Sequence, residues 1–81
     1  MTKVRIDIID EPGMLARISN LIASYGGNII EIYHQRMFND VPVKNAKIDA
    51  IIEALSVEHI ASIIKALRED GFQVSEIMER S

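Results

Sequence analysis

The stretch Val4-Arg5-Ile6-Asp7-Ile8-Ile9-Asp10-Glu11-Pro12-Gly13-Met14-Leu15 changes its hydrophobic period at the Pro-Gly pair, and that change decides the fold. Before the pair, Val4, Ile6 and Ile8 alternate with Lys3, Arg5 and Asp7, the period-two pattern of a strand covered on one side, and Ile9 breaks the alternation. After it, Leu15, Ile18, Leu21, Ile22 and Tyr25 form a helical stripe. Asp10 or Glu11 is placed to cap this helix, Pro12 is tolerated in its first turn, and Gly26 is a natural stop. Such a turn exposes backbone amides at a helix start, where a small anion or amino acid can be held. A second polar element, Gly26-Gly27-Asn28-Ile29-Ile30, closes the helix and opens the next strand. Two loops flanking one helix therefore form a candidate site.

Outward from this unit, residues 29–38 are rich in β-branched and aromatic side chains and read as a second strand, ended by the turn Asn39-Asp40-Val41-Pro42. Residues 46–55 alternate again, with Ala46, Ile48, Ala50, Ile52 and Ala54 on one face and Lys47, Asp49, Ile51, Glu53 and Leu55 on the other. Ser56 caps a second helix with the stripe Ile60-Ile63-Ile64-Leu67, which stops at Gly71. Residues 72–78 return as a fourth strand with Phe72 and Val74 inward. The order β-α-β-β-α-β predicts an α+β, ferredoxin-like sandwich: a four-stranded antiparallel sheet with two helices on one face. The small residues of the third strand let a helix approach closely. Apolar Ile9, Ile51 and Leu55 on the outer face suggest that this face also meets a neighbour.

With 81 residues and 48% hydrophobic content, the chain is expected to form one domain over 1–81 with a core marginal when alone, which favours a homodimer or higher homo-oligomer. The net charge of −3 comes from nine basic and twelve acidic residues interspersed along the chain, a pattern unlike the clustered cations of a nucleic-acid surface. Without Cys there is neither a disulfide framework nor a thiolate metal site. Asp7 interrupts the N-terminal apolar pattern, and no apolar stretch approaches the roughly 20 residues of a membrane span, so a cytoplasmic protein free of the membrane is expected. His34 and His59 have no third ligand spaced with either, which argues against a metal, and no cofactor is implied. His34 reads as a packed or interface residue and His59 as exposed. Glu31 and Arg36 fit an intersubunit pair or a solvated edge, and Arg68-Glu69-Asp70 a solvated helix end. Glu11 lacks the partner or desolvated pocket that a catalytic carboxylate needs, so no catalytic residue is expected.

The element order, the motif Asp10-x-Pro12-Gly13-x-Leu15 after the first strand, and Gly27-Asn28-Ile29, with Asn28 fifteen residues after Gly13, together resemble an ACT domain, the regulatory amino-acid-binding module of many metabolic enzymes. The resemblance covers essentially the whole chain. Glu31-Ile32-Tyr33-His34-Gln35-Arg36 followed by Phe38-x-Asp40-x-Pro42 is most similar to the C-terminal regulatory domain of threonine dehydratases, and the lack of a lyase domain implies a free-standing regulator. The resemblance implies a site between two subunits, where the first loop of one faces the second-strand start of the other. There Asp10 would accept from a ligand ammonium, the amides around Gly13, Met14 and Leu15 would hold its carboxylate, and Asn28 would serve either end. Ile8 stands where serine-sensing members carry a His. An aliphatic wall of Ile8, Leu15 and Ile29 would suit valine, leucine or isoleucine instead. A plainer reading stays open: Asp10 caps the helix, Gly13 eases the turn and Asn28 bonds its own backbone.

The expected function is thus a non-catalytic domain that senses an amino-acid effector and modulates a metabolic enzyme in trans by shifting a population of assembled states. The alternative is an oligomerisation module that binds nothing small. Other users of this fold are excluded by chemistry. Two Phe, two Tyr and no Trp are too few to stack RNA bases, no Cys pair marks the first loop for metal transfer, and Asp10-Glu11 would repel a phosphate that an acylphosphatase holds with Arg.

Overall fold

In the computed structural model of the chain, which describes residues 1–9, 11–36 and 45–77, the two hydrophobic periods resolve into six elements. These are β1 (Thr2–Ile9), α1 (Met14–Ser24), β2 (Asn28–Arg36), β3 (Asn45–Glu53), α2 (Val57–Glu69) and β4 (Gln73–Ile77). The strands form one antiparallel sheet in the order β2-β3-β1-β4, so each helix links strands that are not neighbours, as the ferredoxin-like expectation requires. Directly opposed residues share a face. The register sets Val4 against Ala50, Ile6 against Ile48 and Val74, and Ile8 against Ala46. These side chains are buried together with Ile18 and Ile22 of α1 and Ile60, Ile63, Ile64 and Leu67 of α2, which makes one core beneath both helices.

The stripe of α1 turns Ile18, Leu21 and Ile22 inward as the sequence predicts and differs only at its two ends. Because the helix begins at Met14, the inward positions are Met14, Ile18, Leu21 and Ile22, at i, i+4, i+7 and i+8. Leu15, turned about 100° away, is 38% exposed and Tyr25 is 49% exposed. The helix start also differs: Gly13 at φ 88° is the cap residue and supplies no side-chain bond, while Pro12 precedes it in the turn. Asp10 lies outside the described residues. At the other end, the Gly26 amide donates to the Ala23 carbonyl at 2.9 Å and the Gly27 amide to the Ile22 carbonyl at 3.0 Å, a Schellman closure with Gly26 left-handed at φ 82°. The third strand stops at Glu53, two residues short of Leu55, which is 94% exposed in the link to α2. The expected turn at 39–42 lies outside the described residues.

The open face of the sheet pairs its own charges. Arg5 donates from Nε to Asp49 Oδ1 at 2.8 Å and from its terminal nitrogen to Oδ2 at 3.0 Å, and Asp49 beneath it is only 2% exposed. These hydrogen bonds, more than the charge attraction, hold the Asp49 carboxyl below the usual carboxylate range. Lys47 lies 3.6 Å from Asp7, Lys3 sits 5.9 Å from the centre of the Tyr33 ring, and the Tyr33 hydroxyl donates to Glu31.

The tightest backbone approach is at Gly27. A β-carbon there would lie 2.8 Å from Ile22 Cγ2, 2.9 Å from Ile63 Cδ1 and 3.2 Å from Ile52 Cγ2, all side chains with no exposure. Gly27→Ala is expected to overpack this junction and to destabilise the protein by about 1–3 kcal/mol in denaturant unfolding. A second expectation concerns acid. Because the folded pKa of Asp49 is depressed, its contribution is fully present above the unfolded value of about 3.9 and is lost as pH falls through the lower folded value. The melting temperature of Asp49→Asn should therefore fall less steeply than that of the unsubstituted protein below about pH 4.

Candidate functional site

The turn from β1 into α1 is built almost wholly from backbone. Glu11 donates to the Ile9 carbonyl at 2.8 Å, Met14 donates to the Glu11 carbonyl at 3.3 Å, and the first intrahelical bond runs from Arg17 to Gly13 at 3.0 Å. The amides of Leu15 and Ala16 thus fall in the part of the helix that has no intrahelical acceptor, at the positive end of its dipole. Glu11, Pro12, Gly13, Leu15 and Ala16 are all exposed. A β-carbon at Gly13 would meet nothing within 4 Å among the described residues, so glycine is required here by φ and not by crowding. The arrangement can accept a small carboxylate or similar anion through backbone donors alone.

The nearby cation is engaged elsewhere. Arg17 donates to the Asp70 carboxylate at 2.8 Å and to the Asp70 carbonyl at 3.2 Å, and its guanidinium lies 5.1 Å from the centre of the Phe72 ring. Asp70 pushes the Arg17 pKa still higher, chiefly through the side-chain hydrogen bond, so the group ties α1 to the end of α2 as a permanent cation.

Of the residues expected at the site, Gly13, Met14 and Leu15 lie at one end of α1 and Asn28 and Ile29 at the other. An 11-residue helix spans about 16 Å. The sheet agrees, since Ile9 pairs with Asn45 at one end and Asn28 with Glu53 at the opposite one. A single chain therefore does not bring the two loops together. Asn28 is exposed, and among the described residues its side chain makes no hydrogen bond. Ile29 is half-buried on the core beside Ile52, and Ile30 is the extra residue of a bulge, turned to solvent. Met14 packs on the core. Ile8, expected on the pocket wall, is 6% exposed and spent on the core opposite Ala46, which leaves Leu15 and Ile29 as the aliphatic surfaces.

His59 departs most from its sequence reading. It is half-buried, not exposed, and both ring nitrogens are bonded: Leu55 N–H donates to Nδ1 at 3.0 Å, and Nε2 lies 2.6 Å from the Tyr25 carbonyl. The signal available in the sequence was its place three residues after the Ser56 cap, where a capping box carries Glu or Gln reaching back to the helix start. A groove of about 290 Å³ is lined by Thr2, Val57, Ile60, Ile64, Arg68 and Glu76, between α2 and the β1–β4 side of the sheet. Among the described residues no three His, Asp or Glu gather as a metal site, and no helix is long and apolar enough to cross a membrane.

Residues 2–72 match the family model of the ACT domain. The chain is 30% identical over 67 residues to the L-threonine ammonia-lyase of Thermotoga maritima, which covers 83% of this chain and 17% of that protein. It is 32% identical over 72 residues to the enzyme of the same name from Geobacter sulfurreducens, covering 89% of this chain and 18% of that protein. The chain thus spans under a fifth of the length of these curated relatives. Among solved structures, the acetolactate synthase small subunit of Thermotoga maritima superposes with a TM-score of 0.73 at 20% identity, over 95% of this chain and 47% of that one.

Proposed function

Since the chain belongs to the ACT domain family, we propose that it is a non-catalytic regulatory domain that binds a small amino acid between two copies of itself and so modulates a metabolic enzyme. The observation that carries this reading is the exposed helix start at Gly13, opened by a left-handed glycine and left without a side-chain cap. The placement of the second loop supports a shared site. β2 is an edge strand, and two copies related by a twofold axis and paired through β2 run antiparallel. Each helix start then turns toward the neighbour's Asn28 and Ile29. In this reading the amides around Gly13, Met14 and Leu15 hold the effector carboxylate, Asp10 and Asn28 take its ammonium, and Ile29 and Leu15 favour an aliphatic side chain. The domain in this reading acts in the cytoplasm on a metabolic enzyme. A bound effector shifts the target only by its difference in affinity between two assembled states.

A second reading has its own support. Ile30 and Tyr33 are exposed along the β2 edge, a surface that favours assembly even with no ligand present. A thermal-shift screen of the twenty amino acids, with light scattering on the same sample, separates the two. An effector at about 100 times its dissociation constant adds roughly 2.7 kcal/mol, a rise of about 10 °C or more for a domain of this size. The expected result is a selective rise with a branched aliphatic amino acid, whereas a flat screen on a folded dimer would favour the assembly module. Gly13→Val is expected to abolish the rise while leaving the dimer, because a branched residue does not hold φ 88° without strain. A full rise in that variant would place the ligand elsewhere.

A further inference from the structure

We propose that His59 is a positioning residue which, through its Nε2–H tautomer, fixes the turn between α1 and β2 and thereby presents Asn28 and Ile29 to the effector; the proposal rests on the reading above. The ring itself is held firmly. The His59 amide donates to Ser56 Oγ at 3.1 Å, and Ser62 Oγ donates to the His59 carbonyl at 2.7 Å, so the residue is anchored in the first turn of α2. A backbone amide can only donate, so the bond from Leu55 requires a bare Nδ1. The proton then resides on Nε2, which donates to the Tyr25 carbonyl 2.6 Å away. That carbonyl is among the last of α1, a group with no acceptor role inside its own helix.

The turn is thereby clamped from two directions. Gly27 rests on Ile22, Ile52 and Ile63 with no room for a methyl group, and the imidazole lies against Gly26, where a β-carbon would stand 3.3 Å from Nε2. β2 starts at Asn28, the very next residue. The Schellman closure and the apolar floor bring the chain to Asn28, its pairing with Glu53 starts the ladder, and the hydrogen bond from His59 adds the one hydrogen-bonded tie between this turn and α2 that the described residues show. A side chain that merely capped α2 would need only the bond to Leu55. The second bond, to another helix, is the one that reaches the site.

His59→Gln separates these roles. Gln at this position keeps the capping-box bond to the helix start but lacks the rigid ring that carries a donor to Tyr25. In the wild-type protein, ¹⁵N–¹H spectra of labelled histidine are expected to show a slowly exchanging Nε2–H and an unprotonated Nδ1 at His59. An Nδ1–H tautomer would overturn the proposal whatever any variant does. In His59→Gln the dimer and a melting temperature close to wild type are expected to persist, with faster hydrogen exchange at the Asn28 amide and about tenfold weaker binding of L-valine or L-isoleucine by calorimetry. Unchanged exchange at Asn28 would likewise overturn it. Should the wild-type protein bind none of the twenty amino acids, the functional reading fails by itself, and the tautomer and exchange measurements still decide whether His59 holds the turn.

Discussion

Three isoleucines meet under one glycine: Ile22 from α1, Ile52 from β3 and Ile63 from α2 converge where the chain leaves the first helix, and the backbone of Gly27 lies directly on them. A core packed this closely transmits the position of each element to the others, because a shift of even one methyl group is felt. The Schellman closure at Gly26 delivers the chain to that point, and Asn28 begins the edge strand immediately beyond. The placement of β2, and hence of everything a neighbour meets along that edge, follows from how tightly this junction is filled.

The sheet divides its two faces by different physics. One face is apolar and gains from burial under the helices; the other is exposed and settles its charges in pairs, with Asp49 sealed beneath Arg5. A carboxylate so little exposed would be costly alone, and the two hydrogen bonds from the guanidinium are what make it tolerable. On the polar face Arg5 and Asp49 satisfy each other, whereas the helix start at Gly13 has exposed amides with no intrahelical acceptor. This contrast, more than any concentration of reactive side chains, marks the Gly13 turn.

Much of the fold was legible in the sequence because periodicity and stop signals agreed. The alternation at Val4, Ile6 and Ile8, the stripe Ile60-Ile63-Ile64-Leu67 and the glycines ending both helices each point to one element, and the element order limits the topology. At the start of the first helix Leu15 was read as inward in place of Met14, because both fit the stripe of Ile18, Leu21 and Ile22 and only the position of the glycine cap chooses between them. Leu55 continued a strand alternation that Glu53 had already ended, since periodicity carries no mark of where pairing stops. The candidate residues were proposed from sequence, but their separation to opposite ends of α1 needs the length of a helix and the direction of the strands. The double bonding of His59 joins residues distant in the chain, and no local pattern encodes it beyond its offset from Ser56.

The two rims of the sheet are unequal. β2 offers nine residues, interrupted by a bulge at Ile30, whereas β4 offers five and carries Glu76 among them. A twofold pairing through β2 would consume the long rim of both copies and leave the shorter β4 rims facing outward. Any further strand-for-strand growth from such a pair has to run through β4, where the described residues offer a shorter ladder than β2 does.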